Sequence, residues 1–248
     1  MYGKLTVEFL QQVPFDSTDK VVLDLGCGTG LGFDVTADEF AKRGMTGIGI
    51  EPAGGMLDLA KEKFKGNPHF SWKLGSFEKI PVDDKSADKI ISTLALHWVT
   101  SLEVAAAEME RVVKHNGSIY ILMMAKDDGH YFKKAIVKAL RKHLNFEQLM
   151  RTAGLALRVN AEQLKQSFAV FEPKFDIEVK KVSNIVYGNF DDHMKWWKAR
   201  SAQIISDVKD KEVFMGDLQE ELEKTRTPQG IPFDSNLLHI AVRGKTAL

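Results

Sequence analysis

The stretch Val21 to Gly30, VVLDLGCGTG, constrains this chain more than any other. Val21-Val22-Leu23 is a short apolar run with the character of a buried parallel strand, and Asp24 follows near its end. Gly26, Gly28 and Gly30 then fall at alternate positions. Glycine reaches positive φ at no steric cost and lets a ligand approach the backbone closely. An amphipathic segment, Leu31 to Arg43, comes next and predicts a helix capped near Gly44. Strand, tight glycine turn and helix make the first half of a nucleotide-binding βαβ unit.

The glycine spacing narrows the ligand. A dinucleotide fingerprint needs glycines at the first, third and sixth places. Counted from Gly26 the sixth place is Leu31, and counted from Gly30 it is Val35, so both registers fail. No Gly-Lys-Ser/Thr follows, which removes a phosphate-cradling P-loop. A plain αβ turn with several glycines is the alternative at this point.

The rest of the first half repeats the unit. Leu5 to Gln12 is apolar-periodic and predicts a segment packed beside the first strand. Thr46 to Glu51 (TGIGIE) predicts a second strand with an acid at its C-terminal end, about 20 residues past the turn, where a carboxylate suits ribose hydroxyls. The alternative is a solvated strand-end carboxylate. Pro52 to Lys65 predicts a helix with Met56, Leu57 and Ala60 inward. Phe70 to Leu74 and Asp88 to Ala95 predict further strands. Thr100 with Glu103 predicts a capping box for a helix from Ser101 to Lys114, ended by Asn116-Gly117. Ser118 to Met124 predicts the fifth strand. Strands separated by helices five times over imply a Rossmann-like doubly wound, mostly parallel sheet.

The second half predicts helices over Tyr131–Leu144, Ala161–Phe168, Asp191–Asp207 and Lys211–Lys224. A half-exposed antiparallel strand falls at Phe175–Tyr187, and a last strand at Leu237–Val242 after a loop at Pro228–Asp234. The whole reads as a single 1–248 domain of seven strands, the last antiparallel. A core over about 17–125 carries the glycine loop, and helices with an insertion fill about 126–235.

Composition excludes several classes. Lys and Arg number 34, as do Asp and Glu, so no global basic surplus drives nucleic-acid binding. The one cysteine, Cys27, excludes an intrachain disulfide and fits a reducing compartment. Between two glycines it reads as a small buried thiol. No apolar run approaches the roughly 20 residues of a membrane span, and the first residues lack a signal-peptide core, which predicts a cytoplasmic protein. No His, Asp, Glu or Cys spacing suggests a metal.

The ordered series VLDLGCGTG, GIEPAGGML, GSFEKIP, DKIISTLALHWV and EMERVVKHNGSIYI resembles the class I S-adenosylmethionine-dependent methyltransferases. It is most like their small-molecule branch of ubiquinone/menaquinone, trans-aconitate and malonyl carrier-protein methyltransferases. The resemblance covers Val21 to about Met124, and it implies a cofactor-binding core over about 17–125 with acceptor-side helices and insertion over about 126–235. It implies S-adenosylmethionine as cofactor and a small-molecule acceptor, with nucleic acid excluded and oligomeric state open. By position it implies that Gly26, Cys27 and Gly28 meet the methionine part, with Asp24 ordering the loop. Glu51 would take the ribose, with Pro52 and Met56 nearby. Ser76 and Phe77 would bracket the adenine, Ser76 standing where the family commonly has Asp. Thr93 and Leu94 would touch the methionine end. Family members usually carry more chain before the glycine loop, which leaves three readings open: a short lid, Tyr2 reaching over the site, or a truncated chain.

Methyl transfer from a sulfonium needs orientation and exclusion of water more than a fixed catalytic group. His97, past the fourth strand, is the candidate base, with packing or pocket lining as its alternative. Trp98, His130, Trp196 and Arg200 are candidate acceptor contacts, weighed against core or surface roles. A non-catalytic cofactor-binding protein of the same fold is the second function class. A nicotinamide oxidoreductase is the third, opposed by both failed glycine registers.

Overall fold

A computed structural model of the chain describes residues 2–153, 158–201 and 205–245, with all their side chains except those of 151–153, 196 and 198–201. In chain order the elements are α1 (Tyr2–Gln11), β1 (Val21–Leu25), α2 (Leu31–Arg43), β2 (Thr46–Glu51), α3 (Gly54–Lys63), β3 (Phe70–Leu74) and β4 (Ala87–Thr93). A single 3-10 turn, Leu96–Trp98, precedes α4 (Leu102–Val112) and β5 (Val113–Met124). Then come α5 (His130–Leu140), α6 (Phe146–Ala153), α7 (Ala161–Ser167), β6 (Phe175–Gly188), α8 (Phe190–Ser201), α9 (Lys211–Glu223) and β7 (Ile231–Gly244).

The seven strands form one sheet in the order β3-β2-β1-β4-β5-β7-β6. β1, β2, β3, β4 and β5 pair in parallel, and the sheet is closed by antiparallel pairing at its last strands. The doubly wound, mostly parallel sheet predicted from the alternation of strand and helix is the one found. Sequence order reverses between β1 and β4, so the C-terminal ends of β1, β2 and β4 meet where open α/β sheets bind ligands.

Two glycines inside β2 show how helix and sheet fit. A Cβ on Gly47 would lie 2.8 Å from both the Phe33 and Phe70 rings, and one on Gly49 would lie 2.5 Å from Trp72. Strand glycines mark such close approaches. Phe33 of α2 stacks on Phe70 of β3 with centroids 4.7 Å apart, and Phe40 meets Phe70 edge-on at 5.1 Å. Both α2 rings are fully buried, each worth about 2–3 kcal/mol. On the other face Leu23, Leu25 and Ile90 pack with Ala105 and Met109 of α4 and Leu164 of α7.

The chain divides into two compact units. One comprises 1–125, 159–181 and 238–248, and the other 126–158 and 182–237. Val159–Lys181 is thus compact with the β1–β5 body, although its sequence reads with the acceptor-side segment. The second unit has its own core: Phe132 meets Trp197 edge-on at 6.0 Å and lies 5.8 Å from Phe233, and His193 is held by the Ile231 carbonyl at 2.9 Å.

Several boundaries differ from the sequence reading. α4 starts one residue later than a Thr100 cap implies: Ser101 is the cap and accepts from the Val104 N–H at 3.2 Å. Thr100 instead gives its N–H and its hydroxyl to Glu78. Asn116-Gly117 does not end this helix, because β5 already begins at Val113. The β-branched pair Val112-Val113 suits the change from helix to strand. β7 begins at Ile231 and takes in part of the predicted loop. α6 has no counterpart in the sequence reading.

Candidate functional site

The loop after β1 is built from backbone. Gly26, Gly28 and Gly30 all adopt left-handed φ, +69°, +55° and +84°. The Gly26 N–H donates to the Ile50 carbonyl at 2.8 Å, and the Gly30 N–H to Cys27 at 2.9 Å. These bonds turn the chain back over the end of β2. Residue identity is tightly restricted here: a Cβ on Gly26 would collide with Ala95, and one on Gly32 with the Asp24 carboxylate.

Register then brings the acid to the loop. Leu25 pairs with Ile50 across β1 and β2, so Glu51 ends β2 at the level of Gly26. Its carboxylate accepts from the Gly28 N–H and from the Ala53 N–H, both at 3.0 Å. Glu51 therefore ties the glycine loop to the start of α3. An ionised carboxylate offers about four acceptor positions, so two remain for another partner.

Between these parts lies a cavity of about 260 Å³, lined by Gly26, Glu51, Pro52, Ser76, Phe77, Glu78, Ala95, Trp98 and Val99. Ser76 sits in a tight turn bonded to Lys79. Glu78, which the sequence reading did not single out, is the added carboxylate. Burial pushes its pKa up, but bonds from the Thr100 N–H, its own N–H, the Thr100 hydroxyl and the Ser76 hydroxyl outweigh that and hold it below the ordinary value. Glu78 thus clamps the Ser76 turn to the segment entering α4, two walls of the cavity. The sole signal for it was an acid two residues past the adenine-side position.

Beneath the loop the charges are crowded. Asp24 is buried, and burial, then the Glu51 carboxylate, raises its pKa from 3.8 to about 7. The Cys27 thiol is driven up by burial, then by Asp24 and Glu51. It is kept un-ionised, which removes nucleophilic chemistry.

The other candidates are placed as follows. Met56 is exposed, against the inward reading, though its Cε lies 3.5 Å from where a Gly28 Cβ would be; Leu57 and Ala60 alone carry the buried face of α3, and Met56 lies at its margin in the first turn. Thr93 ends β4, and Leu94 has φ +54° with its N–H on the Leu122 carbonyl; the cavity wall begins one residue later, at Ala95. His97 is fully buried and is not a wall of this cavity. The 3-10 turn sends it inward and leaves Trp98 half-exposed at the rim, so its packing alternative is what the turn produces. Tyr2 is buried in α1 rather than over the cleft. His130 opens α5 in the second unit, where Asp234 accepts the His130 and Tyr131 N–H groups. The Trp196 and Arg200 side chains lie outside the described residues. Among the described residues no cluster of His, Cys, Asp and Glu could hold a metal ion, and no helix is long and apolar enough to cross a membrane.

Residues 23–121 match the methyltransferase-domain family model, a span that contains the glycine loop, Glu51 and every wall of the cavity. A malonyl-[acyl-carrier protein] O-methyltransferase of Yersinia pestis is 34% identical over 117 residues, 47% of this chain and 41% of that protein. The chain spans about half the length of the curated relatives it matches. In structure it resembles the YcgJ protein of Bacillus subtilis, with TM-score 0.65, 16% identity and 99% of both chains covered. It also resembles phosphoethanolamine N-methyltransferase 2 of Haemonchus contortus, solved with phosphomonomethylethanolamine and S-adenosylhomocysteine; there the TM-score is 0.63 and identity 15%, over 98% of this chain and 53% of that one. A glycine loop clasped by a strand-end acid, on a doubly wound sheet, thus lies inside a span that matches the methyltransferase-domain model.

Proposed function

We propose that this chain binds S-adenosylmethionine at the glycine loop and transfers its methyl group to a small-molecule or carrier-bound O, N or C nucleophile. The observation that carries the reading is the Glu51 clasp: a buried carboxylate, half satisfied by the Gly28 and Ala53 N–H groups, on the wall of a cavity that it shares with Gly26. When bound, the cofactor supplies an electrophilic methyl on a sulfonium. The protein's own groups bind and orient. Glu51 has acceptor positions left for ribose hydroxyls. Pro52, Ser76 and Phe77 supply walls suited to the adenine, with Met56 beside Gly28. Gly26, Cys27 and Gly28 offer backbone, with Thr93 and Leu94 at the adjoining strand end. Asp24 places a carboxylate beneath the loop, complementary to a cationic ligand.

Trp98 at the rim is the acceptor-side residue this reading favours, because an exposed indole there can exclude water from the reacting centre. His97 is assigned no proton transfer. The Yersinia pestis relative is reason to include carrier-bound malonyl groups among the acceptors tested.

Calorimetry with S-adenosylhomocysteine tests the cofactor. Wild-type protein is expected to bind it, and Glu51→Gln to bind about 5- to 100-fold more weakly, the cost of poorly matched buried hydroxyls. Gly26→Val should abolish binding and also lower the melting temperature, since its Cβ would collide with Ala95 at a left-handed φ. No binding to wild-type protein at millimolar ligand would end the reading. Methyl transfer to any acceptor would exclude a purely regulatory protein.

A further inference from the structure

A second cavity, of about 190 Å³, lies within the first unit, lined by Phe9 of α1, Gln12 just past its end, Tyr120 of β5, Lys180 of β6, and His239 and Arg243 of β7. It is not part of the cofactor cleft. The end of β7 lies beside the start of β5, since a Cβ on Gly244 would collide with the His115 carbonyl. The β7 residues of this cavity thus lie toward the sheet edge opposite the glycine loop.

Its walls are aromatic. Phe9 meets the His239 ring edge-on at 5.0 Å, and Tyr120 carries the Arg243 guanidinium 5.7 Å from its ring centre. Its charges are unevenly committed. Arg243 is engaged by Glu178 at 3.1 Å and by the Tyr120 hydroxyl at 3.4 Å, so those groups largely satisfy one another. Lys180 makes no ion pair among the described residues. Its charge nevertheless reaches into the cavity, because burial, then Lys180, lowers the pKa of His239. The charged and titratable groups that share the cavity with His239 are Lys180 and Glu178 from β6, Tyr120 from β5 and Arg243 from its own strand, while Gln12, just past α1, adds a neutral amide. One spare cation, a neutral imidazole and an amide converge on a space walled by rings.

We propose that this cavity is a second ligand site, for a small aromatic monoanion of the benzoate class. Size sets the ligand: a cavity of about 150 Å³ takes up benzene, so this one holds one ring and a substituent. The ring would pack among Phe9, Tyr120 and His239, and the carboxylate would take the Lys180 ammonium and the Gln12 amide. An anion beside His239 opposes the Lys180 field, so binding must raise the His239 pKa.

Full-length protein titrated with benzoate, read by the His239 ring NMR signals assigned with His239→Gln, tests this. Benzamide, the neutral isostere, is the control. A dissociation constant in the millimolar range is expected for a ligand this small, with His239 titrating at higher pH when benzoate is bound. Lys180→Gln, an exposed-strand substitution, should weaken benzoate by about 3- to 10-fold and leave benzamide unchanged. The proposal falls if about 10 mM benzoate leaves His239 unmoved, since that exceeds the expected constant. It also falls if benzamide binds as well, or if Lys180→Gln responds as wild type does. None of these outcomes depends on cofactor binding.

Discussion

The cleft at the glycine loop and the aromatic core of the second unit are both buried, yet they are built on opposite terms. Around Phe132, apolar and aromatic side chains fill space, and the buried His193 has a carbonyl to bond. Beneath the glycine loop two carboxylates, Asp24 and Glu51, are buried close enough that one raises the pKa of the other. Such an arrangement is costly by itself and makes sense where a positively charged ligand completes it. Substitutions in the two regions should therefore move stability in opposite directions.

The largest effect is expected in the packed region. Phe132 is 2% exposed and meets His193, Trp197 and Phe233. Phe132→Ala should cost about 3–5 kcal/mol in urea unfolding, through lost burial and the void left behind. A cost under about 1 kcal/mol would mean that this unit is loosely packed, and the contrast would collapse.

The cleft should show the reverse sign, and pH exposes it. The Asp24 pKa is raised in the folded protein from 3.8 to about 7. The unfolded chain then releases this proton more readily than the native one. The resulting stability is fully present below about pH 4 and is lost as pH rises to about 7. Asp24→Asn removes the titration, so the ligand-free variant should be more stable than wild type at pH 8, by about 1–3 kcal/mol. Thermal melts at pH 4.5 and 8 measure this. A variant less stable than wild type at both values would show that Asp24 is a structural bond rather than a stored cost.

The same contrast explains what could be read from the chain alone. β1, α2 and β2 appear where the spacing put them because glycines, a cap and a strand-end acid dictate backbone geometry locally. Gly26 and Glu51 stand at the cavity for that reason, whereas Ser76 and Phe77, which also line it, were pointed to only by the family resemblance. His97 was not: strand-end position gave its place along the chain, but a three-residue turn decides whether a side chain faces in or out. Glu78 escaped notice because its role depends on Thr100, 22 residues away. Tyr120, Lys180 and His239 lie on three strands whose adjacency follows from the β5-β7-β6 order, which no local pattern encodes.

The smallest effect separates a sequence rule from the observed geometry at the Glu78 clamp. Thr100 and Ser101 both suit a helix N-cap, and the Glu103 three residues past Thr100 favours Thr100. In the structure Ser101 caps α4 by accepting from Val104, while the Thr100 hydroxyl points its proton at Glu78. Ser101→Ala should thus cost about 1 kcal/mol, the usual worth of a cap. It should leave cofactor affinity unchanged, because the helix start lies outside the cavity lining. Thr100→Val keeps the shape and removes only the hydroxyl, so its stability cost should be about 0.5 kcal/mol or less, as the backbone N–H still holds Glu78. It should instead weaken S-adenosylhomocysteine by about twofold, as the clamp between the Ser76 turn and the Val99 wall loosens. If Thr100→Val destabilised the protein more than Ser101→Ala, the cap would sit where the sequence rule puts it, and Glu78 would lose its part in shaping the cleft.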